Sequence, residues 1–299
     1  MSPTPPSRLA FIPPLIPILV DRPRLGHGWI HEIKRDGYRV QIHIDRNQAR
    51  GFTRNGLDWT DRFGPVIGCA AGLPCSSAII DGELVTQDAP NRSDFGAIRL
   101  ASRVQPERLA LFAFDLLHLD GKDLRLQPIE ERRGALRKLL SPDDSTRCIQ
   151  FSDGYEGDGA AFFASVGAMG LGGIVSKRAG SLYRRGRTSV WVETKCMTER
   201  EFIVVGTEQN PGGAPFALLA REENGGLVFA GRASVALPEL ERDRFWSRIA
   251  SLAVSAPPIN TLWKDKPKAG FVCPVLHVRA RHLKGGGMLR QASLTAFLT

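Results

Sequence analysis

The segment Glu32-Ile33-Lys34-Arg35-Asp36-Gly37-Tyr38-Arg39 sets one lysine in a tight turn between two strand-like runs. From such a turn an amine can project into a cleft and act as a nucleophile. It does so only as the neutral amine, so its pKa must fall below the reference of about 10.4 through burial or nearby cations. Arg35 and Arg39 are such cations. The plain alternative is a hairpin turn carrying a solvated lysine, and K-x-D-G-x-R alone does not separate the two. Other devices for handling nucleotides or metals are absent. There is no G-x-x-x-x-G-K-[ST] phosphate loop and no strand-turn-helix G-x-G-x-x-G, and His31-Glu32 lacks the second histidine of H-E-x-x-H.

Four later stretches could complete a site around the lysine. Asp81-Gly82-Glu83 offers carboxylates, Phe112-Ala113-Phe114-Asp115 offers an aromatic, and Leu171 to Lys177 and Trp191 to Cys196 each contain a strand-end lysine, Lys177 and Lys195. Each has an ordinary explanation as well: a turn, a core aromatic, and lysines facing water.

Together and in this order, these stretches resemble the covalent nucleotidyltransferases, specifically the ATP-dependent DNA ligases of bacterial end-joining type. The resemblance covers nearly the whole chain, beginning with Phe11-Ile12-Pro13-Pro14, Val20-Asp21-Arg22-Pro23 and Gly28-Trp29. It implies that Lys34 attacks the α-phosphorus of ATP and that Asp36 and Gly37 complete its turn. It further implies that Arg39 and Arg54 (in Arg54-Asn55-Gly56-Leu57-Asp58-Trp59-Thr60) steady the nucleotide and that Glu32 lies near the adenine. Glu83 would hold the ribose or a Mg²⁺ or Mn²⁺ ion, Phe114 would stack on the base, and Lys177 and Lys195 would lie beside the phosphates. The implied activity is nick or break sealing in duplex DNA through a lysyl-AMP intermediate, in repair, end joining or recombination, by a monomer that a Ku-like end-binding protein could recruit. Alternatives on the same architecture are an RNA ligase or capping-type enzyme, since fold does not fix substrate, and a non-catalytic DNA-end-binding protein.

Three positions depart from the family. Gly172 stands where it carries a glutamate, Glu193 replaces a lysine, and Thr295 replaces the lysine of a final motif in which Arg290 remains. A unit charge about 4 Å from a phosphate is worth about 1 kcal/mol in water and about 4 kcal/mol at an effective dielectric of about 20, and reversing its sign doubles the difference. Adenylation would be slowed by such a change but not forbidden. Glu193 could also compensate for Gly172 as a metal ligand, because Mg²⁺ accepts few carboxylates and several waters.

The elements that must position these residues can be read from periodicity. Trp29 to Ile33 reads as a strand, and Tyr38, Val40, Ile42 and Ile44 alternate with polar residues as in a half-buried strand. Further strands are expected at Ala78 to Val85, Leu109 to Leu119, Gly173 to Lys177 and Val190 to Lys195, with a turn at Asp120-Gly121. Helices are expected after Pro128 and from Gly159 to Gly170. This irregular mixture indicates an α+β domain, and the family resemblance implies that it is an adenylation domain of nucleotidyltransferase, ATP-grasp-like type over residues 1–197. Short strand-like runs at Glu201 to Gly206, Phe216 to Ala220, Leu227 to Gly231 and Val272 to Val278, around a helix near Leu237 to Leu252, suit an OB-fold β-barrel over residues 198–299.

The chain's 299 residues suffice for two cores, and its formal charge of +9 favours a polyanionic partner. Two basic clusters without acids could contact a DNA backbone: Arg184, Arg185 and Arg187 in one, Arg279, Arg281 and Lys284 in the other. The cysteines Cys69, Cys75, Cys148, Cys196 and Cys273 form no C-x-x-C pair, so neither a zinc site nor a disulfide framework is indicated. The apolar stretch Leu9 to Val20 is interrupted by Pro13, Pro14 and Pro17 and follows no basic region. Neither a signal peptide nor a membrane span is expected, which points to the cytoplasm.

Overall fold

The computed structural model describes residues 9–86, 95–140, 148–210, 213–259, 269–285 and 288–298, and divides into two compact units, Met1–Cys196 and Met197–Thr299. The first unit is built on two sheets. One contains β1 (Leu15–Leu19), β2 (Trp29–Ile33), β9 (Gly173–Arg178) and β10 (Gly186–Lys195), in the order β1-β10-β9-β2. The other contains β3 (Tyr38–Asp45), β4 (Gln48–Thr53), β5 (Ser77–Thr86), β6 (Leu109–Leu119) and the short β7 (Lys122–Asp123), in the order β4-β3-β5-β6-β7, with β8 (Ile149–Phe151) parallel to β6.

The helices cover the outer faces of these sheets. Against the second sheet, Val66 of α1 (Gly64–Ala71), Ile98 of α2 (Phe95–Val104) and Leu136 of α3 (Ile129–Leu140) share one core with Val40, Ile42, Ile44, Ile80 and Leu84. Against the first sheet, Val166 of α4 (Gly159–Ala168) packs with Ile174, Leu171 and Cys196. Asp158 starts α4 by accepting a hydrogen bond from the Ala160 N–H at 2.8 Å, the usual cap for the first free donors of a helix. Between the sheets lies a third cluster of Leu15, Ile30, Ile79, Leu117, Tyr183 and Trp191.

Three points of the sequence reading are decided here. The strand-to-strand turn at Lys34 stands, but its plain alternative, a hairpin, does not: β2 pairs with β9 and β3 with β4 and β5, so the turn carries the chain from one sheet to the other. Periodicity reports which residues alternate but not which strand lies alongside. Second, β3 is buried on both faces, because the N-terminal arm covers its polar side: Gln41 and Ile12 exchange hydrogen bonds, and His43 reaches the Leu9 carbonyl. The arm then continues as β1, an edge strand running parallel to β10, whose register shifts between Pro17 and Ile18, where a missing N–H is tolerated. Third, Cys69 and Cys148, far apart in sequence, meet as a disulfide beside α1.

In the second unit, β11 (Met197–Glu208), β12 (Phe216–Glu223), β13 (Gly226–Ser234), β15 (Gly270–Leu283) and β16 (Ala292–Leu298) form a closed ring in the order β11-β12-β13-β16-β15-β11. β13 and β16 pair in parallel, and the two-residue β14 (Ala253–Val254) extends β15. α5 (Glu239–Ser251) contributes Phe245 and Ile249 to the ring's apolar core, with Val204, Leu219, Val278 and Leu294. Among the described residues no helix is long and apolar enough to cross a membrane.

Candidate active site

The lysine turn owes its shape to Gly37. A Cβ at this position would collide with the Leu84 carbonyl of β5, so the chain can enter β3 this close to β5 only without a side chain. The Gly37 N–H, left free by that path, donates to Glu83 Oε1 at 2.8 Å. Lys34 extends the β2 ladder by one residue, its N–H donating to the Gly173 carbonyl at 2.9 Å. Its side chain is 13% exposed and ion-paired to Asp36.

Register sorts the charged residues of the first sheet. Glu32 lies opposite Val175, Ile30 opposite Lys177, Trp191 opposite Lys177, Glu193 opposite Val175, and Lys195 opposite Gly173. Cross-strand partners share a face, so Glu32, Lys177, Trp191, Glu193 and Lys195 all project from the same side as Lys34. His31, Ile33, Ser176 and Thr194 take the other side, where α4 packs. On the second sheet, Arg39 lies opposite Glu83 and Gln41 opposite Asp81, and those four share the face turned away from the helices.

Between the sheets, charges are buried in pairs. Glu32 is 3% exposed and takes Arg133 Nη1 at 2.5 Å, Lys177 Nζ at 2.6 Å and the Ser152 hydroxyl at 3.0 Å. Lys177 also lies over the rings of Phe114 (4.5 Å) and Trp191 (4.3 Å). Burial pulls its pKa down to about 8 against the attraction of Glu32, with Arg133 adding to the fall. Burial likewise raises Glu83 to about 7, against the Gly37 hydrogen bond and the positive charges of Lys34 and Arg39. Arg35 sits over the Phe112 ring and is lowered by burial to about 10, with Glu32 and Asp153 opposing.

Arg39 is committed to protein acceptors. Its Nε and Nη2 grip Asp81 at 3.1 and 2.8 Å, Nη1 donates to the Leu15 carbonyl at 2.5 Å, and Nη2 also reaches the Tyr183 hydroxyl at 3.4 Å. Burial disfavours its charge, but Asp81 outweighs that and holds its pKa above the ordinary value. Arg39 thereby ties the arm, both sheets and the loop before β10 together. Phe114 is half-buried, edge-on to Trp191 at 5.9 Å.

Arg54 is exposed in the turn after β4. Gly172 is buried, its carbonyl accepting the Cys196 N–H at 2.9 Å, and Glu193 faces Lys195 at 3.6 Å. Arg184, Arg185 and Arg187 are exposed, whereas Tyr183 beside them is core. Arg279, Arg281, Lys284 and Arg290 belong to the second unit. The cluster around Arg279 is not free of acids once folded: β11 sets Glu201 opposite Arg279 and Glu199 opposite Arg281, and Arg279 meets Glu201 at 3.4 Å. Thr295 donates to Glu199.

Sequence reasoning missed Arg132 and Arg133. Their signal was available, because both fall on the apolar stripe of α3 with Ile129, Leu136 and Leu140, where a charge must find a buried partner. Arg132 grips Asp115 through two bonds, at 2.8 and 2.9 Å, with both side chains fully buried.

The cation set of Lys34, Lys177 and Lys195 fits a polyphosphate in its chemistry. For a divalent metal, no group of three His, Cys, Asp or Glu side chains converges among the described residues. Among the described residues Glu83 is a half-buried carboxylate that, beyond the Gly37 N–H, keeps hydrogen-bonding capacity for Mg²⁺, an ion that commonly takes one or two carboxylates, waters and substrate oxygens.

Two sheets joined by a lysine turn, with cations on the facing side, define a nucleotidyltransferase-type ligase domain, mixed α/β and mostly strand. Solved structures agree: a mycobacterial DNA ligase D complexed with ATP and MES superposes with a TM-score of 0.58 and 28% identity over 95% of this chain and 94% of that one. The ligase domain of LigD from M. tuberculosis gives a TM-score of 0.56 and 27% identity over the same shares. The chain belongs to the ATP-dependent DNA ligase domain family, which matches residues 22–195. It is 32% identical, over 94% of its length, to the multifunctional non-homologous end joining protein LigD of Pseudomonas aeruginosa. It is 30% identical, over 89%, to the corresponding protein of Mycobacterium tuberculosis. The chain spans about a third of the length of these curated relatives, 35% in each case.

Proposed function

We propose that the chain seals nicks or ends in duplex DNA by transferring AMP through Lys34, in an end-joining repair setting in the cytoplasm. The observation that carries this proposal is the placement of Lys34: its amine is largely withdrawn from water, held by Asp36, on the same face as Lys177 and Lys195. Asp36 is the group in contact with the ammonium and therefore the nearest acceptor for its proton. The neutral amine then attacks the α-phosphorus of ATP, forming a phosphoramide and releasing pyrophosphate. AMP passes to a 5′-phosphate, and the 3′-hydroxyl of the neighbouring strand displaces it.

In this scheme Lys177 and Lys195 stabilise phosphate charge, Glu32 and Phe114 bound the base, and Arg54 and, from the second unit, Arg290 add to nucleotide binding. Arg39 acts chiefly through the elements it ties together. A Mg²⁺ or Mn²⁺ ion, with Glu83 as its main protein ligand and Glu193 as a second, would neutralise charge on the transferring phosphates.

We further assign residues 1–197 to adenylation and 198–299 to an OB-fold β-barrel, supported by the closed five-strand ring and its parallel β13–β16 pairing. Arg184, Arg185, Arg187, Arg279, Arg281 and Lys284 contact the DNA backbone. The protein acts as a monomer, and a Ku-like partner would supply ends.

Incubation with ATP and Mg²⁺ or Mn²⁺ followed by intact mass measurement should reveal one AMP adduct, absent in Lys34→Ala. A wild-type protein that carries no adduct yet seals pre-adenylated nicked DNA would confine its function to the later steps. Failure of both would exclude ligase activity.

A further inference from the structure

Two cations share one buried carboxylate between the sheets. Arg133 and Lys177 both reach Glu32 Oε1, at 2.5 and 2.6 Å, and the remaining partner of Glu32, Ser152, is neutral. Asp115, the other carboxylate that acts on Lys177, is already matched by Arg132 at 2.8 and 2.9 Å. Arg35 also faces Glu32, together with Asp153, so cations outnumber carboxylates around Glu32, and such a site is completed by an anion.

The two cations are not equally mobile. Arg133 is fixed by further bonds to the Ser152 carbonyl at 2.8 Å and the Phe114 carbonyl at 3.3 Å, with its guanidinium over the Phe151 ring at 4.7 Å. Among the described residues Lys177 has beyond Glu32 a 3.4 Å contact to the Phe114 carbonyl and the faces of two rings, at the end of a flexible four-carbon stem.

We infer that Arg133 is a positioning residue: by holding the charge of Glu32, it leaves the Lys177 ammonium able to turn from the protein to a nucleotide phosphate. The inference rests on the proposed adenylation of Lys34. Without Arg133, Lys177 becomes the sole counter-ion of Glu32 and is retained there. The groups that set its charge are Glu32 on β2, Arg133 on α3 and Asp115 on β6, while Arg39 on β3 faces the same two rings. Of these, Arg133 is a cation beside it, so its removal moves the proton loss of Lys177 upward from about 8.

The test is the rate of lysyl-AMP formation as a function of ATP concentration and pH, in wild type, Arg133→Met, Arg133→Lys and Arg133→Gln. Arg133→Met and Arg133→Gln should raise KM for ATP by about tenfold or more and move the alkaline limb to higher pH, whereas Arg133→Lys, which keeps the charge, stays within about threefold of wild type. If Arg133→Met does not fold, the Lys and Gln variants, similar in length and different in charge, decide the matter. Unchanged KM in Arg133→Gln overturns the inference, as does equal loss in the Lys and Gln variants with the alkaline limb unmoved, the pattern of a merely structural residue. Absence of any adduct on wild type overturns the adenylation scheme itself, and this inference with it.

Discussion

Opposite charges meet in both units, in two different settings. Between the sheets of the first unit, Asp115 and Arg132 are fully buried and joined through two bonds, and Glu32 lies almost wholly out of water. On the barrel, Arg279 and Glu201 are 45% and 59% exposed and 3.4 Å apart. Water screens the second kind to a fraction of a kilocalorie, whereas in the first each charge depends on its partner. The lesson is that an arginine on a strand of the barrel is available to an outside phosphate, while one in the inner layer is a fixture of the fold.

The largest test of this contrast is Asp115→Ala. It strands the Arg132 guanidinium in a dry layer and should cost about 3–5 kcal/mol of stability, read as a lowered denaturation midpoint. A loss under about 1 kcal/mol would show that water reaches the layer and that the contrast with the barrel is false.

A smaller effect concerns Glu83. Its folded-state pKa, raised by burial from 4.5 to about 7, means that the folded protein holds this proton more tightly than the unfolded chain does. Its contribution to stability is therefore full below 4.5 and is lost as pH rises through about 7. Glu83→Gln cannot ionise, so chemical denaturation across this window should show a flatter decline than wild type. An identical decline in both proteins would place the titration on another group.

The smallest change in stability is expected for Arg279→Ala, within about 1 kcal/mol of wild type. Its consequence should appear instead in binding to nicked duplex, as a uniform loss of affinity and a salt slope smaller by about one. An unaltered slope would mean that Glu201 already neutralises Arg279 and removes it from the DNA-facing set.

Much of the first unit was legible beforehand because its strands have strong local patterns. β2 and β6 begin and end where the sequence indicated, and α3 begins one residue after Pro128. Weakly patterned elements went unread: β1 contains Pro17, β4 contains Gly51, and α1 is short and rich in small residues. At the site, the ordered stretches around Lys34, Glu83, Phe114, Lys177 and Lys195 were visible, but their partners were not. The acids facing Arg279 and Arg281 lie on another strand, about eighty positions earlier.

By itself, the sequence determined which residues alternate, where the chain must turn, and that Gly37 follows a lysine and an aspartate. Those are local properties, set by sterics within a few residues. Only the tertiary structure decided that this turn crosses between sheets, that Glu32 answers to both Arg133 and Lys177, and that Arg39 clamps Asp81 and the Leu15 backbone. Each of these depends on strand register and on which distant segment is buried alongside, and a shift of one residue in either strand would turn every such side chain to the opposite face.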